Sequence, residues 1–173
     1  GEYEVLLRDI AGMLEQARRA AARSVNAVIT ITYWHIGRRI VEQEQRGVER
    51  AAYGEELVAR LSADLTARFG RGFSRSNVFQ MRQFYLAYRE KVQTASGISA
   101  EDAIVQTGSG LSGGHVFALS WSHYVRLLTV EDGEARKYYE AEALRGGWSV
   151  RDLDRQIAGL KEQLTSTNAS LAS

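Results

Sequence analysis

From Leu6 to Ile40 the apolar residues fall three or four positions apart without a gap: Leu6, Ile10, Leu14, Ala17, Ala21, Val25, Ile29, Tyr33, Ile36 and Ile40. That spacing holds side chains along one face of a helix, whereas a strand would send alternate residues to opposite faces. The stretch predicts one long helix or two nearly collinear ones. A break would fall near Ser24 and Asn26, the weakest helix formers along the stripe. With no proline in 173 residues, no helix is forced to stop, and the chain reads as an all-α, multi-helix domain.

Glycines and cap residues divide the rest. Gly47 is a candidate left-handed cap for the long helix. A second helix is expected from about Gly54 to Phe69, with Leu57, Val58, Leu61, Leu65 and Phe69 inward and Gly70 ending it. Arg71, Gly72 and Phe73 then lead to Ser74, a good N-cap, and to a helix from Arg75 to about Lys91. This is a helix-turn-helix layout. From Val92 to Leu119 glycine, serine and threonine dominate, with Gly108, Gly110, Gly113 and Gly114 close together, so a mobile loop or a small wing-like hairpin is expected.

Three short helices follow, started by Ser120, by Thr129 with Asp132, and by Ser149 with Asp152. Gly146 and Gly147 close the middle one. The expected organisation is one helical domain over 1–164, made of 1–91, a flexible 92–118 and 119–164, with 165–173 as a disordered tail.

Several chemistries are excluded or unsupported. The absence of cysteine removes disulfides, thiolate metal sites and a cysteine nucleophile, and fits a reducing cytoplasm. No run reaches the roughly 18 residues of a membrane span, and the charged start is unlike a secretory signal. Gly1 in place of methionine points to a cleaved tag or an excised fragment.

His35, His115 and His123 lack metal-ligand spacing, so structural or capping roles are expected. There is no G-x-S-x-G elbow, and the glycine cluster has no phosphate-loop lysine. Lys91, Lys137 and Lys161 are preceded two positions earlier by Arg89, Ala135 and Gly159, so the acidic-x-Lys signature of metal-dependent nucleases is absent. No catalytic residue, metal or cofactor is expected in this chain.

The positive signal is charge. Arg60 to Lys91 carries seven cations (Arg60, Arg68, Arg71, Arg75, Arg82, Arg89, Lys91) against Asp64 and Glu90, a net +5 in a chain of net +1. Such a local basic patch suits a phosphate backbone. On the helix after Ser74, Val78, Met81, Tyr85 and Tyr88 should face inward, while Ser76, Gln80 and Gln83 face out and Arg75, Arg82 and Arg89 line one edge. Arg68, Arg71, Ser74 and Asn77 flank the turn, so the candidate DNA contacts are Arg68, Arg71, Ser74, Arg75, Ser76, Asn77, Gln80, Arg82, Gln83 and Arg89. An arginine-rich face also serves as a solvated or ion-paired surface, or as a protein-docking one.

Four strings carry a family resemblance: YWHIGRRIVEQEQ (33–45), YGEELVARLSADLTARFGRGFSRSNVFQMRQFY (53–85), LSWSHYVRLL (119–128) and ARKYYEAEALRGGWSVRDLDRQI (135–157). In order along nearly the whole chain, they resemble the amino-terminal region of the YhcG-like family. The resemblance implies a nuclease with a PD-(D/E)XK catalytic domain towards its carboxyl end, following Leu164. The segment from Val92 to Val116 departs from it, being longer and richer in glycine.

Two functions remain open. One is a double-stranded DNA-binding module of a nuclease. The other is a homodimer or protein-partner module built on the long first helix. Trp34, Trp121, Trp148, Phe73, Tyr85 and Tyr124 are expected to join helices rather than stack on bases.

Overall fold

The computed structural model describes residues 1–46, 53–95 and 116–171, and among these every regular element is a helix. In chain order they are α1 (Glu2–Arg46), α2 (Tyr53–Phe69), α3 (Arg75–Ala87), α4 (Arg89–Ala95), α5 (Trp121–Leu127), α6 (Gly133–Gly146) and α7 (Val150–Leu171). The all-α expectation is met. Gly47, the glycine cluster, His115 and the wing-or-loop question lie outside the described residues.

α1 runs unbroken through Ser24 and Asn26. The Thr30 and Thr32 hydroxyls donate to the carbonyls of Asn26 and Val28, each at 2.7 Å, so the side chains support the turn instead of breaking it. What changes there is the surroundings: residues 1–23 are exposed, and burial begins at Ala27. Propensity at two positions cost too little to end a helix whose second half is held by packing.

That packing is against α3. Gly37 lies where the two helices meet; a Cβ there would overlap the Met81 carbonyl and stand 3.0 Å from Tyr85 Cβ. Glycine is what allows the backbones to come so close. Around this crossing Ile31, Trp34 and Val41 of α1 join Phe84 and Tyr85 of α3, while Ile40, Val58 and Val78 form a smaller cluster under α2.

The same core continues into the carboxyl-terminal third. The Phe84 ring lies 4.8 Å from Phe117, 5.1 Å from Tyr124 and 5.2 Å from Trp121 between centroids. These offset and edge contacts make Phe84 the hinge pin between the halves. Truncating such a fully buried ring costs about 3–5 kcal/mol. Nearby, buried Glu140 accepts from the Tyr124 hydroxyl at 2.8 Å and pairs with the Lys91 ammonium, so a charge inside the fold is met by two donors.

Several boundaries differ from the sequence expectation. The helix after Ser74 stops at Ala87, with Tyr88 as its cap, and α4 begins at Arg89 and includes Val92. Phe69 is exposed, the buried residues of α2 being Val58 and Ser62 further back. At α6 the cap is Asp132, accepting from the Ala135 amide at 2.7 Å, while Thr129 donates instead to the Arg126 carbonyl. At α7 the expected box is formed, Ser149 and Asp152 each accepting the other's amide at 3.2 and 3.0 Å. The backbone of α7 stays helical to Leu171, seven residues past the expected end at Leu164. No helix here is long and apolar enough to cross a membrane.

Candidate nucleic-acid interface

The connection between α2 and α3 is built to hold one shape. Gly70 and Gly72 take φ of 78° and 109°, which a side chain resists. The Phe73 carbonyl accepts from the Ser62 hydroxyl at 2.7 Å and from Thr66 at 3.3 Å, fastening the turn back on α2. The Ser74 hydroxyl accepts the Asn77 amide at 3.2 Å, as its N-cap role predicts.

Asn77 completes the clamp. Its side-chain NH₂ donates to the Gly72 carbonyl, and its oxygen accepts the Trp121 indole N–H at 2.8 Å. Both ends of the amide are used. Asn77 is a candidate DNA contact in the sequence, and in the fold its side chain is engaged by the turn and α5.

Three arginines stand free around this rigid turn. Arg68, Arg71 and Arg75 are exposed, and among the described residues none has a carboxylate partner; Arg68 lies beside the Phe69 ring. Their neighbours are engaged: Arg60 approaches Asp64 at 3.9 Å, and Arg82 donates to both carboxylate oxygens of Glu44 on α1 at 2.8 Å. The Arg82 side chain retains only 27% exposure. Arg89 belongs to α4, where its guanidinium sits 5.4 Å from the Tyr85 ring centre. The expected line of Arg75, Arg82 and Arg89 along one helix is therefore not formed, because the helix ends at Tyr88.

Of the outward amides and hydroxyls, Ser76 is exposed, while Gln80 and Gln83 are half-buried. Val78, Met81, Tyr85 and Tyr88 are buried, as their spacing predicted. The same face holds two residues that the charge-based reading passed over, Phe79 at 48% and Leu86 at 38% exposure. Helical spacing alone places Phe79 one turn after Arg75. Together Arg75, Ser76, Phe79, Arg82 and Gln83 form one wall of a groove of about 500 Å³ whose other lining residues include Glu44 and Glu55.

A larger cavity of about 830 Å³ lies between α3–α4 and α6, lined by Arg89, Lys91, Arg136, Lys137 and Glu140 among others. Its charges are largely spent internally: Lys91 on Glu140, Lys137 on Glu134 at 2.8 Å, and Arg136 on the Val130 carbonyl. Among the described residues no group of three metal-binding side chains converges. His123 bridges the Ser120 hydroxyl at 2.7 Å and the Trp148 carbonyl at 2.8 Å, a structural role of the kind expected of it. Because a carbonyl can only accept, the ring carries a proton on Nε2.

The model of the DUF1016 N-terminal domain matches residues 9–161, nearly the whole of this fold. The chain belongs to the DUF1016 N-terminal domain family. It is also 48% identical over 167 residues to "Putative nuclease YhcG" of Escherichia coli (strain K12), an alignment covering 90% of this chain and 44% of that protein. The chain thus spans less than half the length of that relative. No solved structure matches it.

Proposed function

We propose that this DUF1016 domain is the non-catalytic, DNA-docking part of a nuclease, and that the α2–turn–α3 unit acts as a helix-turn-helix. The observation that carries the reading is that Arg68, Arg71 and Arg75, which flank a turn held in one shape, are exposed and have no carboxylate partner among the described residues. Such guanidinium groups release counterions when they meet phosphates. Ser76, Gln80 and Gln83 supply the groups that would face base edges. The catalytic part belongs to the remainder of the longer protein, as the nuclease relative's length supports.

Binding of this chain to duplex DNA across a salt series tests the reading. Affinity should fall steeply as salt rises.

A second reading has its own support. Phe79 and Leu86 are exposed on the same face, and Glu44 and Glu55 in the adjoining groove oppose phosphate. That combination suits a protein surface with an apolar centre and a charged rim. Absence of salt-dependent DNA binding would favour it.

A further inference from the structure

α1 carries a second feature that the DNA-docking reading does not use. Every residue from Glu2 to Arg23 is exposed, so roughly 33 Å of helix extends from the domain at 1.5 Å per residue. In water a helix of this kind draws its stability from packing one apolar face. It has such a face: Tyr3, Leu7, Ile10, Leu14, Ala17 and Ala21 recur at steps of 4, 3, 4, 3 and 4, the a/d spacing of a coiled coil. Ile10, Leu14 and Val25 are 42%, 56% and 57% exposed. The stripe is turned on average by roughly 110° from Ala27, Ile31 and Trp34, which pack inward, at 3.6 residues per turn. The domain's own core face does not lead into it.

We propose that this face is covered by the same segment of a second copy of the chain, running antiparallel. Two properties of the segment select that occupant and that direction. The first is size. Large side chains fill the first half (Tyr3, Leu6, Leu7, Ile10, Met13, Leu14), and alanines fill the second (Ala17, Ala20, Ala21, Ala22). Parallel copies would set bulk on bulk and alanine on alanine, leaving voids. Antiparallel copies set Tyr3 against Ala21 and Leu7 against Ala17 of the second copy, large on small at both ends of the seam, with Ile10 against Leu14 at its centre.

The second property is charge. Residues 2–15 hold Glu2, Glu4, Asp9 and Glu15 against Arg8, a net −3, while residues 16–23 hold Arg18, Arg19 and Arg23 with no acid, a net +3. In that register antiparallel pairing lays the +3 of residues 16–23 over Glu2, Glu4 and Arg8 of the second copy, a side-chain net of −1, and parallel pairing lays +3 over +3. Exposed charges of this kind add little affinity but set direction. The inference stands apart from DNA contact.

The chain has no cysteine, so introduced thiols report direction cleanly. Sedimentation equilibrium of the unmodified chain should show a dimer, and Leu7→Glu with Leu14→Glu, both exposed in the single chain, should weaken it at least tenfold with helix content retained by circular dichroism. On mild oxidation the double variant Tyr3→Cys, Ala21→Cys should form a covalent dimer, while Tyr3→Cys alone should not. Within one helix those two positions lie roughly 27 Å apart, too far for an internal disulfide. A monomer at all concentrations, or ready cross-linking of Tyr3→Cys alone, would overturn the proposal.

Discussion

The indole N–H of Trp121 donates to the side-chain oxygen of Asn77 at 2.8 Å, joining residues 44 positions apart. Because the same Asn77 side chain also holds the Gly72 carbonyl, one amide ties the turn before α3 to the start of α5. Asn77→Ala should cost about 1–3 kcal/mol, since it leaves two partners unsatisfied. Trp121→Phe should cost less through this bond, and the double variant should fall short of the sum, because both changes break one contact. Urea denaturation of the four proteins measures this; strict additivity would separate the two residues.

Gly37 makes the α1–α3 crossing possible, so Gly37→Ala should be destabilising even though alanine is the better helix former. The propensity gain is up to about 1 kcal/mol. Forcing the helices apart against the Met81 carbonyl and Tyr85 should outweigh it, with a net loss of about 1–3 kcal/mol. A raised melting temperature for this variant would show that the crossing relaxes freely.

The His35 imidazole is held below its ordinary value of 6.5, first by burial and then by the Arg38 charge. Its Nε2 is buried without a hydrogen-bond partner among the described residues. About one unit or more above 6.5 the ring is neutral in both folded and unfolded chains and contributes no pH dependence. As pH falls below 6.5 the unfolded chain takes up the proton first, so stability drops until the folded value is passed. The denaturation midpoint should decline between pH 7.5 and 5.5, and His35→Gln should remove part of that decline. Glu42 and Asp152, lowered by hydrogen bonds from Arg38 and from Ser149 respectively, lose their contributions only in a more acidic range, below their ordinary 4.5 and 3.8. Parallel curves for the two proteins in the upper range would exclude His35 as the source.

Much of the fold was legible because helix periodicity and caps are local. The inward set of α3 and the Ser149–Asp152 box follow directly from spacing. What escaped was set by distant partners. Spacing shows that Arg82 reaches outward, but not that Glu44, 38 positions earlier, would claim it. Asn77 reads as a polar residue of a recognition helix until Trp121 is placed beside it. The apolar stripe of α1 reads as a single face, yet packing divides it at Ala27 between a face turned to α3 and one left exposed.

The central claim is that the free arginines of the turn, and not the paired ones, meet DNA. The direct measurement is duplex-DNA affinity across a salt gradient for the unmodified domain, for Arg71→Ala with Arg75→Ala, and for Arg82→Ala, each checked for folding by circular dichroism. Replacing Arg71 and Arg75 should weaken binding at least tenfold and flatten the salt slope by roughly two phosphate contacts. Arg82→Ala should lower stability by about 1 kcal/mol through loss of Glu44 and leave affinity within twofold. Unchanged affinity and slope in the Arg71, Arg75 double variant would contradict the account.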